Sequence, residues 1–136
     1  IEPGPVDLAP PWRVEVFPIA HHRSSLGYRL TLPDGFVLAF SGDASEGAGL
    51  EALGADADLL VLEAAAPEEQ PLQGHLTPGR AGAVAAACGA RRLLLTHFYP
   101  QTDAVPVAER ARKSFEGELV LAQDGQILDL SRTADP

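Results

Sequence analysis

Three short apolar runs constrain this chain more than anything else in it. FVLAF (36–40), LLVL (59–62) and LLL (93–95) are apolar at every position, with no alternation of polar residues. Each reads as a strand buried on both faces. Helical spacing fills the segments between them, so strands and helices alternate, which is the pattern of an α/β layer structure.

Upstream, Val14 and Val16 alternate with Arg13 and Glu15, and Leu26, Tyr28, Leu30 and Leu32 alternate with Gly27, Arg29 and Thr31. Both stretches read as strands with one buried face. Pro33-Asp34-Gly35 is a turn by composition, so the first strands are expected to form a meander. Ser45 is expected to cap a helix over about Glu46 to Leu53. Thr77-Pro78 forms a cap and first-turn pair, Gly89 is a stop, and Ala81, Val84, Ala85 and Cys88 recur at helical spacing between them. A third helix is expected from about Val105 to Phe115. Asp124-Gly125 between two apolar runs predicts a C-terminal β-hairpin.

With 136 residues and 46% hydrophobic content the chain is the size of one domain or a piece of one. No apolar run approaches the length of a membrane span. IEPGPVDLAPP at the start lacks the features of a secretory signal, and the chain reads as cut from something longer. The lone Cys88 falls in an apolar helical pattern and reads as a small buried hydrophobe, which points to a reducing cytoplasm. A formal charge of −9 disfavours unaided binding to a nucleic-acid backbone.

The polar residues that matter fall at strand ends. FVLAFSGD ends on Asp43, LLVLEA carries Glu63, and LLLTHF carries His97. In open α/β sheets the loops at the carboxyl ends of strands project side chains into one crevice, so these three are candidates for a shared site. His75, in GHLTP, lies on a loop that can reach the same edge. Asp and His together suit zinc or manganese, and a carboxylate can bridge two cations. Each residue also has a plainer reading. Asp43 could be a helix cap or turn residue, His97 a structural histidine, Glu63 a partly solvated carboxylate and His75 a turn residue.

Five words in order, VFPIAHHRSSLGYRL, LAFSGDAS, ADLLVLEA, GHLTPGRAG and RRLLLTHFYP, together resemble the C-terminal half of metal-dependent hydrolases of the metallo-β-lactamase fold, in their ribonuclease Z-like branch. The resemblance runs from about Trp12 to Leu130. It implies half of an αββα sandwich, a mixed sheet with helices on its outer face, over the whole of residues 1–136. Asp43 matches the family's metal-bridging aspartate and His97 its last histidine ligand. Glu63 and His75 match a pair in which the histidine is implicated in catalysis and the glutamate orients it. His21 falls in the family's P-x-x-H-x5-G-Y word and is expected to line or support the site rather than bind metal, with its neighbour His22 facing solvent.

The cofactors implied are two divalent ions, zinc foremost, with manganese or iron as alternatives. The family's HxHxDH word is absent from this chain, so the resemblance implies that an N-terminal half, on the same gene product or another chain, completes the site. A further metal-binding histidine is expected upstream of Trp12. The chain alone is expected to be inactive, and the completed protein to be a homodimer with no membrane attachment. GHLTP and SGDAS depart from the family's GHST and SGDT forms, which leaves the substrate open between an RNA 3′ end and a small cyclic nucleotide. The alternatives are a non-catalytic scaffold of the same fold and a hydrolase of thioesters or lactones. An isolated half is expected to expose the apolar sheet face that the missing sheet covers.

Overall fold

A computed structural model describes residues 3–6 and 11–130. Its strands are β1 (Gly4–Val6), β2 (Arg13–Pro18), β3 (Leu26–Thr31), β4 (Val37–Phe40), β5 (Leu59–Glu63), β6 (Arg92–Thr96) and β7 (Glu118–Leu121). The helices are α1 (Ala48–Gly54), α2 (Pro78–Ala87) and α3 (Val107–Ala111), with a 3₁₀ turn at Thr102–Ala104. All seven strands lie in one sheet whose spatial order follows the sequence. The first four pair antiparallel as a meander, and β4, β5, β6 and β7 pair parallel.

Connection length explains that division. Antiparallel neighbours need only tight turns, and Pro33-Asp34-Gly35 supplies one, closed by the Gly35 N–H donating to the Leu32 carbonyl at 2.9 Å. Parallel neighbours need a crossover, and the helices provide it. All three pack on one sheet face, where Ala39, Leu60, Leu62, Leu93 and Leu95 meet Leu50, Leu53, Ala81, Ala85, Ala111 and Phe115. Thr77 caps α2 as its spacing predicts, accepting from the Arg80 N–H. α2 and α3 approach closely enough that a Cβ on Gly82 would lie 2.3 Å from the Ala111 carbonyl oxygen, so only glycine fits there. Cys88 is buried against α1, and burial, the largest cause, pushes its thiol pKa up.

Several local expectations are corrected. α1 begins at Ala48 with Gly47 ahead of it and no side-chain cap, and Ser45 lies outside the helix, its backbone N–H donating to the Ala20 carbonyl at 2.6 Å. α3 begins at Val107 because Pro106 holds Val105 extended, at φ −120° and ψ 155°. The Asp124-Gly125 turn forms, with the Gln126 N–H donating to the Gln123 carbonyl at 3.1 Å, but residues 126–130 make no return strand. That segment instead crosses the sheet. Ile127 is 93% exposed, Leu130 packs on Phe36, Leu59 and Val61, and the Asp129 carbonyl accepts from Arg92 Nη1 at 3.0 Å.

Of the three apolar runs only β5 is buried along its whole length. β4 and β6 keep partial exposure on the face without helices, where Phe40 is 43% exposed. Register places Val16, Tyr28, Phe40, Val61, Leu94 and Val120 in one row across that face. On that row Val16 and Val61 are buried, Tyr28, Leu94 and Val120 are half-buried and Phe40 is exposed, and partial exposure of apolar residues there is the pattern expected of a sheet face that packs on a second layer.

Candidate metal centre

The parallel strands β4, β5 and β6 point their carboxyl ends to one edge, and β3 runs the other way, so the β2–β3 turn arrives at the same edge. Four loops therefore converge. The β2–β3 turn carries His21, the loop after β4 carries Asp43, the loop after β5 carries His75, and the loop after β6 carries His97 and Tyr99.

Asp43 stands at the centre with 46% of its side chain exposed. His21 Nε2 lies 3.9 Å from its Oδ2, and His97 Nε2 lies 3.4 Å from its Oδ1. One carboxylate thus faces one imidazole on each side. The ligand atoms offered by His21, Asp43 and His75 lie within 4.8 Å of one another, a group able to hold a metal ion.

The tautomers follow from the partners. A backbone carbonyl can only accept, so His21 Nδ1, 2.8 Å from the Gly74 carbonyl oxygen, carries the proton and leaves Nε2 as a bare donor of electrons toward Asp43. His75 Nδ1 lies 2.9 and 3.0 Å from the two oxygens of Glu63, which leaves Nε2 as its free nitrogen. Glu63 is 1% exposed and accepts two further hydrogen bonds, from the Ala44 N–H at 2.6 Å and the Ala65 N–H at 3.3 Å.

The rings pack on one another. His75 sits between His21, at 4.8 Å between centroids, and His97, at 5.8 Å. Tyr99 closes one side, 5.7 Å from His75 and 5.1 Å from His97. His97 adopts φ +57°, a left-handed conformation uncommon for a residue with a side chain, and such outliers gather at functional sites. The Tyr99 N–H and the Thr102 hydroxyl both donate to the Ala65 carbonyl, at 3.1 and 2.7 Å, and hold this loop against the one after β5.

All five residues read from the sequence, Asp43, Glu63, His75, His97 and His21, come together here, and His22 lies exposed outside the group, bonded to Ser24. His21 faces Asp43 as a potential ligand, a closer part than the lining role its sequence context gave it. Tyr99 was not singled out. Its only signal was its place two residues after His97 in LTHFYP.

A family described as a beta-lactamase superfamily domain matches residues 2–98. The chain belongs to the beta-lactamase superfamily. An uncharacterized protein of Mycobacterium leprae is 35% identical over 115 residues, 82% of this chain and 40% of that protein. Ribonuclease Z of Streptomyces coelicolor is 29% identical over 168 residues, 89% of this chain and 56% of the enzyme. Among solved structures, human tRNase Z, short form, is similar at TM-score 0.73 and 27% identity, over 93% of this chain and 46% of that one. The metallo-beta-lactamase fold protein YhfI of Bacillus subtilis matches in fold at TM-score 0.80 and 24% identity, covering 93% of this chain and 53% of that one.

The ribonuclease Z-like resemblance of the five words is therefore matched by relatives and by fold, and the seven-stranded mixed sheet with three helices is half of a metallo-β-lactamase fold. The chain spans about two fifths of the length of the mycobacterial relatives it matches. Among the described residues no helix is long and apolar enough to cross a membrane.

Proposed function

We propose that this chain is the C-terminal part of a binuclear metal-dependent hydrolase that cleaves phosphodiesters, with a small phosphodiester such as a cyclic nucleotide favoured over RNA. The observation that carries the reading is the Asp43 carboxylate, which offers Oδ2 beside His21 and Oδ1 beside His97. One oxygen per side is what a carboxylate bridging two cations requires.

The donor set fits the group. Imidazole nitrogen and carboxylate oxygen suit zinc, and the carbonyl behind His21 sets its free nitrogen as hydrogen bonding does for zinc-binding histidines. His21, Asp43 and His97 would hold the ions, with the remaining ligands from outside this chain. When bound, two divalent cations acidify water and neutralise charge on phosphate oxygens.

His75 completes the chemistry. Glu63 holds the Nδ1 proton, so Nε2 first takes up a proton, and the imidazolium, stabilised by the Glu63 carboxylate, gives it to the leaving oxygen of the substrate. Tyr99 walls the two histidines on one side. The formal charge of −9 weakens long-range attraction of a polyanion and acts far less on a small diester. The names of the ribonuclease Z relatives support phosphodiester chemistry in general.

The test is hydrolysis of bis(p-nitrophenyl) phosphate, 3′,5′-cyclic nucleotides and a tRNA precursor by the full-length protein loaded with zinc or manganese. The expected result is turnover of the small diesters, lowered in His75→Ala by roughly a hundredfold or more with metal retained. His75→Ala with full turnover would remove the proton-transfer role. Cleavage of thioesters or lactones in place of every diester would overturn the substrate class.

A further inference from the structure

We infer that Glu63 is a positioning residue for Asp43 as well as for His75, so that one buried carboxylate sets both the metal-bridging group and the proton-transfer group. This rests on the metal-centre reading above and goes beyond it by assigning Glu63 a part in holding metal.

Glu63 ends the one strand that is buried along its length, so its own position is fixed by packing. Asp43 has no such support. It follows Gly42, at φ +61°, in the segment between the end of β4 and the start of α1, and nearly half of its side chain is exposed. Three backbone hydrogen bonds hold that segment. The Ser41 N–H reaches the Val61 carbonyl at 3.1 Å, the Ser45 N–H reaches the Ala20 carbonyl at 2.6 Å, and between them the Ala44 N–H reaches Glu63 Oε1 at 2.6 Å. Ala44 is fully buried and adjoins Asp43, so its peptide unit sets where the Asp43 side chain starts. Oε1 is also the closer oxygen to His75 Nδ1, at 2.9 Å against 3.0 Å for Oε2. Both oxygens reach Nδ1, so the carboxylate that holds the Asp43 loop through Oε1 also holds the His75 ring.

The two duties separate in the amide variant. In Glu63→Gln the amide oxygen can still accept from Ala44, while the amide nitrogen donates toward His75 and makes Nδ1 the acceptor, reversing the tautomer. Glu63→Ala removes both partners and leaves the buried Ala44 N–H unpaired.

The experiment is zinc affinity, by chelator competition, and turnover on a small phosphodiester, for the full-length wild type and its His75→Ala, Glu63→Gln and Glu63→Ala variants. The expected pattern is unchanged zinc affinity in His75→Ala and Glu63→Gln, and affinity lowered about 10- to 100-fold in Glu63→Ala, with turnover lost in all three. Zinc held as tightly by Glu63→Ala as by His75→Ala would overturn the inference, since Glu63 would then serve His75 alone. Zinc lost equally from Glu63→Gln and Glu63→Ala would overturn it as well, because the Ala44 contact survives in the amide. Failure of the underlying reading looks different: the wild type would bind no zinc, or Asp43→Ala would bind as it does.

Discussion

His21 shows what a single residue's context adds to its identity. In the sequence it is one of two adjacent histidines in a turn, and the family word P-x-x-H-x5-G-Y singles it out from His22 only as a residue lining or supporting the site. Contacts distant in the chain make the difference. The Ala20 carbonyl is tied to Ser45, which brings the turn beside the Asp43 loop, and the Gly74 carbonyl accepts a hydrogen bond from His21 Nδ1–H. Gly74 has φ +89°, and a Cβ there would stand 3.1 Å from His21 Nδ1, so glycine at this position allows the close approach. By contrast Asp43, Glu63 and His97 were legible because strand ends in an α/β sheet converge regardless of such contacts, and His75 was legible from a loop that can reach the same edge and from the family words. The same logic gives a paired prediction in the full-length protein. His21→Ala lowers metal affinity about 10- to 100-fold, and His22→Ala leaves it unchanged, as measured by metal content after dialysis against a chelator. Equal losses from both would return His21 to a lining role.

At the scale of elements, the loop 64–77 between β5 and α2 carries His75 and has no regular structure of its own, and loops of that length in compact domains are usually functional. It is pinned from outside. Arg110 of α3 donates Nη1 to Glu68, and Nη1 and Nη2 each lie 2.7 Å from a Glu69 oxygen, while Glu68 Oε1 accepts the Gly79 N–H at 2.7 Å. For Glu68 burial raises the carboxyl pKa, but the Gly79 N–H and Arg110 outweigh it, and the net position is below the ordinary value. Arg110 likewise holds Glu69 below its ordinary value. Depressed carboxyl groups stabilise the folded state above the unfolded pKa of about 4.5 and lose that contribution as pH falls through the lower folded values. Arg110→Met is therefore expected to lower the melting temperature at neutral pH, with the gap to wild type narrowing between about pH 5 and pH 3. A gap that stays constant down to acid pH would contradict this. None of this clamp was legible in advance, because it depends on the angle at which α3 crosses α2. The two helices approach closely where Gly82 meets the Ala111 carbonyl, whereas α2 itself was legible from its cap and apolar spacing. The C-terminal hairpin misled for a related reason. Asp124-Gly125 does make a turn, but Leu130 finds apolar surface across the sheet and the return limb never pairs.

For the molecule as a whole, the sheet divides the chain's work. One face packs against the helices, the carboxyl edge gathers the polar residues, and the remaining face carries an apolar row from Val16 to Val120, buried at Val16 and Val61 and open at Phe40. Alternation marked β2 and β3, and apolar runs marked β4 to β7, with a meander at the start, yet of the runs taken as buried on both sides only β5 is buried throughout, while β4 and β6 keep partial exposure. On the proposed reading, the half-sandwich and an incomplete set of metal ligands have one cause. His21, Asp43 and His97 supply too few groups for two cations, just as one sheet supplies one layer of a two-sheet fold. Native mass spectrometry of the full-length protein, wild type beside Asp43→Ala, tests the central claim most directly. The account predicts two divalent ions per chain in the wild type and their loss in the variant. A metal-free wild type, or an Asp43→Ala protein carrying the same number of ions, would contradict it.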